Sequence, residues 1–85
     1  MYTKQSIDDK VKYILANVSC IDQDTINGDT NFKDDLSLDS LDLADVIYKI
    51  DSEYGLDIPL HELEILHTVS ELVDHVDHIL NPIGI

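Results

Sequence analysis

The chain contains no arginine and only five lysines, against 18 aspartates and glutamates, which gives it a formal net charge of −13. A protein that binds nucleic acid needs cationic side chains to neutralise phosphates, so this balance excludes nucleic acid as a partner and disfavours anionic membranes. The field of so many carboxylates instead attracts basic surfaces and raises the rate of encounter with them. We therefore expect the partners to be proteins that carry basic patches, or bound cations.

Cysteine occurs once, at Cys20, so the chain cannot form an intramolecular disulfide and has no C-x-x-C motif for zinc or redox chemistry. A lone thiol of this kind is typical of proteins in a reducing compartment. No stretch of the sequence reaches the apolar length of a signal peptide or of a membrane-spanning helix. We therefore expect a cytoplasmic protein that does not insert into membranes and is a monomer.

Glycine and proline are also scarce, with three and two residues, and no repeat or Gly/Ser-rich linker interrupts the 85 residues. A chain of this length has room for one hydrophobic core, so residues 1–85 are expected to form a single domain. Tryptophan is absent and phenylalanine occurs once, which leaves aliphatic side chains to fill the interior. The core is therefore expected to be small and the free energy of unfolding modest.

Apolar residues recur at helical spacing near the N-terminus and again in the middle of the chain. The first predicted helix begins near Thr3 or Ser6 and runs to about Asn17. The second has Ser40 in its first turn and stops at Gly55, a residue type that is favoured just past the end of a helix.

The segment between these two helices, residues 19–38, is rich in Asp, Asn, Thr, Gly and Ser and has no helical periodicity. A loop of this length is unusual in a compact domain and indicates a function or a specific fold. Isolated apolar residues within the loop are expected to anchor it to the core: Ile21, Ile26, Phe32 and Leu36.

Two further helices are predicted in the last third of the chain. Residues 60–66 are long enough only for a short helix, and Thr68 with Glu71 forms a capping-box pattern that opens the last one. This last helix is expected to run to about Leu80 and to end before Pro82. No segment alternates apolar and polar residues as a strand would. The sequence thus predicts an all-α four-helix bundle of three main helices and one short helix, with a long loop between helices one and two.

A serine lies at the predicted start of the second helix, in Asp39-Ser40-Leu41. Backbone N–H groups in the first turn of a helix lack intrahelical partners and the helix dipole is positive there, so a phosphate ester on Ser40 would be stabilised. The same segment also fits a plain helix cap, with Asp39 or Ser37 as the N-cap and Asp42 or Ser40 completing a capping box. The local pattern alone leaves both interpretations open.

Asp39-Ser40-Leu41, at the start of an amphipathic helix in an acidic protein of this length, resembles the Asp-Ser-Leu modification motif of acyl carrier proteins. The resemblance covers most of the chain. It includes residues on both sides of the motif, the end of helix two and the start of the last helix: Leu36, Asp42, Asp45, 54–59 and 68–73.

The resemblance implies that a phosphopantetheinyl transferase attaches a 4′-phosphopantetheine arm from coenzyme A to Ser40, with the help of a divalent metal. The terminal thiol of the arm, and not Cys20, would hold an acyl group as a thioester. Asp39 would belong to the recognition motif, and Leu41 would dock onto partner enzymes. The chain itself would catalyse no reaction and would present acyl intermediates to enzymes of fatty-acid, polyketide or specialised lipid biosynthesis.

Helical geometry separates a second face of helix two from the face that carries its core residues. This face has an apolar row, which we call the docking stripe, and an acidic border: Leu41, Ala44 and Tyr48 in the stripe, with Asp42, Asp45 and Asp51 beside it. Such a surface is typical of weak, electrostatically steered docking to basic patches of partner enzymes. The alternative is that the aspartates only form a solvated helix face.

The sequence departs from the family pattern near the motif. Glycine is frequent in the family two residues before the aspartate, where this chain has Ser37, so the approach to helix two is expected to be stiffer. Ser37 is also a second hydroxyl close to the motif, although no aspartate precedes it. The aspartates of helix two stand where the family often has glutamate, and Tyr48 is bulky for a docking face. Both features indicate partners that differ from those of a general fatty-acid carrier.

Other kinds of site fit the sequence less well. Residues 22–33 do not match the ligand positions of a calcium-binding loop, and His75 with His78 lacks further ligands at zinc spacing, so no metal site is expected. Ser40 lacks the G-x-S-x-G context of a hydrolytic nucleophile. Peptidyl carrier proteins share the fold but commonly have histidine in place of Asp39. The main alternative to a carrier is an unmodified acidic helical module that binds other proteins.

Overall fold

The computed structural model describes residues 2–82. Four α-helices follow one another along the chain: α1 Lys4–Ser19, α2 Ser40–Tyr54, α3 Leu60–Glu64 and α4 Val69–Leu80. The long loop between α1 and α2 contains one turn of 3₁₀ helix, Gln23–Thr25. Within the described residues there is no β-strand, only an isolated bridge between Asn31 and Thr68. The predicted all-α bundle of three main helices and one short helix is confirmed.

The ends of the helices differ from the prediction by a few residues. α1 continues past Asn17 to Ser19, and it ends because Cys20 adopts a left-handed conformation, with φ of 60°. The N–H of Cys20 donates there to the carbonyl of Ala16. α3 ends before the predicted boundary, because the N–H of Leu66 donates to the carbonyl of Leu63 over 3.1 Å. This short-range bond closes the turn and does not continue the helix.

The core is assembled from one face of each helix, together with residues of the loop. α1 packs against both α2 and α4, and the short helix α3 packs against α2. Most residues of the apolar faces predicted for the three main helices are buried: Ile7, Val11, Ile14 and Leu15 in α1, Leu43, Val46, Ile47 and Ile50 in α2, and Leu72, Val73 and Val76 in α4. Of the other residues predicted on these faces, Val18, Tyr54 and Leu80 are half-buried, and the prediction is wrong for Ile79, which is 37% exposed. The interior is therefore aliphatic, as the composition predicts.

The long loop is anchored to this core as predicted. Its apolar residues are buried in the core or packed against it: Ile21, Ile26, Phe32 and Leu36. The side chain of Phe32 is 0% exposed. Its N–H donates to the carbonyl of His67 over 3.1 Å, and its carbonyl accepts from the N–H of Leu38 over 3.2 Å. Phe32 thus ties the loop to the segment before α4 and to the segment that leads into α2.

The capping box predicted at the start of α4 is present. The side-chain hydroxyl oxygen of Thr68 accepts from the N–H of Glu71 over 3.2 Å. The Oε1 atom of Glu71 accepts in turn from the N–H of Thr68 over 2.9 Å and from that of His67 over 2.8 Å. These backbone hydrogen bonds lower the pKa of Glu71 below its ordinary value of 4.5, since they favour the charged carboxylate.

Glu71→Gln is expected to lower the melting temperature near neutral pH and to have much less effect in acid. The pKa of Glu71 is lower in the folded than in the unfolded chain, so its stabilisation is present above the unfolded pKa and is lost as pH falls through the folded pKa. The difference in melting temperature should be full at neutral pH and should close as pH falls below the ordinary pKa of a glutamate. Glu64→Gln is the matched control, because the side chain of Glu64 accepts no hydrogen bond from residues 2–82. A difference that does not change with pH would contradict this role of Glu71.

Candidate modification site and docking face

A reciprocal capping box determines where α2 begins. Asp39 is the N-cap, and its Oδ1 atom accepts from the N–H of Asp42 over 2.9 Å. The Oδ2 atom of Asp42 accepts from the N–H of Asp39 over 3.2 Å. Of the caps that the sequence leaves open, the structure shows the pair Asp39 and Asp42. Ser40 is consequently the first residue of the helix, as predicted.

Ser40 has an exposed side chain, and the capping interactions leave it free. Its hydroxyl makes no hydrogen bond with any residue between 2 and 82. The backbone N–H groups of Ser40 and Leu41 also have no partner in this described part, as is usual for the first turn of a helix. A phosphate ester on the Ser40 oxygen would therefore lie beside free donors and the positive end of the helix dipole. The residues present fit a 4′-phosphopantetheine group at this position.

The same helix start is poorly suited to binding a free phosphate. The carboxylates of Asp39 and Asp42 lie on either side of Ser40 in sequence, and each accepts a hydrogen bond from the backbone N–H of the other residue. Their negative charges repel an approaching anion, and the whole chain carries a net charge of −13. A phosphate group would therefore stay at this site through a covalent bond.

Ser37 is held in an unfavourable backbone conformation two residues before the cap. Its φ is 57°, in the left-handed region. A residue with a Cβ atom pays about 1–2 kcal/mol for this conformation, and glycine adopts it freely. The departure from glycine at position 37 therefore strains the approach to α2, a cost that the sequence did not predict.

Ser37→Gly is expected to raise the free energy of unfolding by about 0.5–1 kcal/mol. The relief of strain at positive φ outweighs the extra freedom that glycine gives the unfolded chain. Ser52→Gly provides a control of opposite sign, since Ser52 is exposed within α2 and glycine there should cost about 0.5 kcal/mol. Both values follow from urea denaturation. Destabilisation by Ser37→Gly would show that the left-handed conformation is not strained.

The docking stripe is exposed along its length. Leu41 is 82% exposed and Tyr48 is 69% exposed, and Ala44 between them is exposed as well. Asp45 is exposed beside the stripe, and its Oδ1 atom lies 3.3 Å from the Nζ atom of Lys49. Large apolar side chains that are this open and adjacent are typical of a surface that contacts other molecules.

Two aspartates of the predicted acidic border have structural contacts. Asp42 is half-buried in the capping box. Asp51 is also half-buried, and its Oδ1 atom accepts from the N–H of Ile58 over 3.2 Å, a contact that spacing on α2 did not predict. Its carbonyl accepts from the N–H of Gly55 over 2.7 Å. Asp51 therefore holds the turn that follows α2, which leaves Asp45 as the open carboxylate of the border.

Exposed apolar residues outside α2 were not predicted as part of the site. Tyr13 on α1 is 53% exposed and lines a groove between α1 and α2 together with Tyr48. Tyr13 lies outside the row of buried apolar residues of α1, and this position could have identified it as an exposed ring. Ile65, just after α3, is 73% exposed, and no periodicity in its short segment indicates this.

Within residues 2–82, no group of three or more His, Cys, Asp and Glu side chains could hold a metal ion. His75 contacts α3, with its Nε2 atom 2.8 Å from the Oε1 atom of Glu62. Among the described helices, none is both long and apolar enough to cross a membrane.

The chain is similar to known proteins in sequence and in fold. The family model of the phosphopantetheine attachment site matches residues 9–76. Among solved structures, the chain is similar to the HMG-ACPI domain from the CurA module of Lyngbya majuscula, determined by NMR, with 26% sequence identity and a TM-score of 0.82. The match covers 98% of this chain and 83% of that domain. The chain therefore belongs to the acyl carrier protein family, whose members carry a covalently attached 4′-phosphopantetheine group.

Proposed function

We propose that this chain carries acyl groups on a 4′-phosphopantetheine arm attached to Ser40 and presents them to partner enzymes. The observation that carries the proposal is the free, exposed hydroxyl of Ser40 at the first position of α2. Ser40 lies within the part of the chain that matches the family model, residues 9–76. When bound, the arm supplies a terminal thiol that holds an acyl group as a thioester.

The role of this chain in the attachment reaction is that of a substrate. The Ser40 oxygen forms a bond to the phosphorus of the phosphopantetheine moiety, the pyrophosphate bond of coenzyme A breaks, and adenosine 3′,5′-bisphosphate leaves. A base of the transferase takes the hydroxyl proton, because the carboxylates of Asp39 and Asp42 are occupied in the capping box. The capping box holds Ser40 at the exposed end of α2, where the transferase has access to it.

We assign the carrier to polyketide or specialised lipid biosynthesis in preference to general fatty-acid synthesis. The similarity to the HMG-ACPI domain of the CurA module supports this assignment. The exposed ring of Tyr48 in the docking stripe supports it as well, because it gives partners a bulky aromatic surface to accommodate. The partners are the phosphopantetheinyl transferase and acyl-processing enzymes with basic patches.

Incubation with coenzyme A, Mg²⁺ and a broad-specificity transferase tests the function. The intact mass should rise by one phosphopantetheine. After acylation of the arm, neutral hydroxylamine should release the acyl group, because it cleaves thioesters. An unmodified acidic interaction module, the alternative, would keep its mass under the same conditions. A chain that stays folded and gains no mass would contradict the carrier function.

Asp45→Lys is expected to slow association with the transferase and to weaken the salt dependence of the association rate, with little change in dissociation. Exposed charges at the edge of an interface act mainly on the encounter of the two proteins. Asp29→Lys is the matched control, since it also changes the net charge by two units, from −13 to −11, at an exposed turn whose neighbouring residue Gly28 accepts a hydrogen bond from Ser70 of α4. Stopped-flow measurements at several salt concentrations compare the two variants. Equal salt dependence in both would show that α2 is not the docking face.

A further inference from the structure

A cation lies against an aromatic ring where α1 packs beside α2. The Nζ atom of Lys10 is 5.5 Å from the centroid of the Tyr13 ring, which is within the range of a cation–π contact. The same Nζ atom is 3.7 Å from the Oε1 atom of Glu53 on α2, a distance too long for a hydrogen bond. A ring and a carboxylate thus lie on either side of one position, and Lys10 occupies this position only loosely.

Beside this position, a groove with a volume of about 300 Å³ runs between the two helices. The exposed rings of Tyr13 and Tyr48 line it, and Asn17 and Ser52 add polar groups. Among the described residues, no cationic side chain and no second ring lies against the ring of Tyr48. The groove therefore combines open aromatic surface with polar groups and the carboxylate of Glu53.

We propose that this groove receives an arginine side chain of a basic partner protein, with the guanidinium group stacked on the tyrosine rings and paired with Glu53. A guanidinium group is planar, stacks on aromatic rings and donates two parallel hydrogen bonds to a carboxylate. The ammonium group of a lysine lacks this planar geometry. The chain has no arginine of its own that could fill the groove.

Two observations favour a basic protein as the source of the arginine. The net charge of −13 attracts basic surfaces and raises the rate of encounter with them. Tyr48 also belongs to the docking stripe, so the groove continues that surface from α2 onto α1. The proposal rests on the carrier function for the existence of such partners, and the binding site itself does not include the arm. Tyr13 thereby becomes a contact residue outside α2.

Lys10 is the intramolecular competitor of this arginine. Its ion pair with Glu53 is exposed, and exposed pairs contribute so little free energy that an incoming guanidinium group displaces the ammonium group at small cost. Lys49, the other lysine at the groove, pairs with Asp45 over 3.3 Å. Removal of the charge of Lys10 should therefore strengthen the binding of arginine.

Capped tripeptides with a central arginine, citrulline, lysine or norleucine test the proposal. Citrulline has the shape of arginine without its charge, and norleucine is purely apolar. Each tripeptide is added to the unmodified chain at low salt, and amide chemical shifts are recorded. The arginine peptide should bind more tightly than the other three. Its largest shift changes should occur at residues that line the groove: Tyr13, Asn17, Tyr48 and Ser52.

Matched variants identify the groups that hold the arginine. Lys10→Gln should tighten the binding of the arginine peptide more than Lys12→Gln, which makes the same charge change on α1 but lies outside the groove. Tyr13→Ser should weaken the binding about two- to fivefold, which corresponds to the loss of one exposed cation–π contact. Glu53→Gln should weaken it more than Glu64→Gln, an equal charge change outside the groove.

Each outcome decides for or against the arginine site. Equal shifts from the arginine and citrulline peptides would show that charge is not recognised, and larger shifts from the norleucine peptide would show that the groove takes an apolar side chain. Either result overturns the proposal. Shifts spread over exposed aspartates elsewhere, or equal effects of Lys10→Gln and Lys12→Gln, overturn it as well.

The titration does not need the arm, so its failure is distinguishable from failure of the carrier function. Absence of groove shifts in a chain that gains phosphopantetheine mass overturns the arginine site alone. A chain that gains no mass overturns the carrier function, whatever the titration shows.

Discussion

Ser40→Ala is expected to abolish the gain of phosphopantetheine mass completely, because alanine has no oxygen to attach the arm. The substitution should leave the helix intact, since position 40 is exposed and alanine is the best helix former. The capping box depends on Asp39 and Asp42 and does not involve the Ser40 side chain. Loss of loading in a variant with unchanged circular dichroism would therefore report on the hydroxyl itself.

Ser37→Ala is the matched control for this experiment. Ser37 is the nearest other serine, it is exposed, and it lies outside α2. Alanine at position 37 keeps a Cβ atom in the left-handed conformation, so the backbone strain changes little. This variant should gain the same mass as the wild type. Modification that persists in Ser40→Ala, or is lost in Ser37→Ala, would contradict the assignment of the site.

Phe32→Ala is expected to lower the free energy of unfolding by about 3–5 kcal/mol, as large-to-small substitutions of buried aromatic residues do. At about 0.05–0.15 kcal/mol per residue, a domain of 85 residues has a net stability of only several kcal/mol, so this loss removes a large part of it and raises the unfolded fraction. The loss is large because the side chain of Phe32 is fully buried in the core. The backbone hydrogen bonds of residue 32 to the segments before α2 and α4 remain possible with alanine.

The measurement for Phe32 is urea denaturation followed by circular dichroism. Phe32→Leu should cost much less, about 1.5 kcal/mol or below, because leucine keeps most of the apolar volume. Loading at Ser40 should decrease in Phe32→Ala in proportion to the unfolded fraction, since the segment from Phe32 to Leu38 leads into α2. A loss of less than about 1 kcal/mol would show that the loop does not depend on this residue.

The helices and their first turns could be predicted, because the patterns that specify them involve residues that are close in sequence. The spacing of Leu43, Val46 and Ile50 predicts one buried face of α2, and these residues are buried because a helix brings them to the same side. The boxes at Asp39 and Thr68 mark helix starts because the hydrogen bonds involved span only three residues. Contacts of this range do not depend on how the helices are arranged.

The features that could not be predicted depend on the arrangement of distant segments. The side chain of Asp51 accepts from the N–H of Ile58 because the chain turns back after α2, and helix periodicity does not contain this information. The groove between Tyr13 and Tyr48 depends on the relative rotation of α1 and α2. Ser37 has a left-handed backbone between two buried leucines, Leu36 and Leu38. The serine side chain itself does not indicate this conformation.

Asp42 and Asp45, both predicted on the border of the docking stripe, differ in their structural contacts. Asp42 belongs to the capping box, so reversal of its charge would disturb the start of α2 as well as any interface. Asp45 is exposed and its side chain pairs with Lys49 on the surface of α2, so its charge can be changed with little effect on the helix. Experiments that reverse both charges together would not separate docking from helix stability.

Fragment-ion mass spectrometry of the loaded wild-type chain tests the central claim most directly. The chain is incubated with coenzyme A, Mg²⁺ and the transferase, treated with a reductant to remove any disulfide between coenzyme A and Cys20, and then digested. The account predicts one phosphopantetheine, on Ser40 and on no other residue. Phosphopantetheine on Ser37, or a fully unmodified peptide that spans both serines, would contradict it.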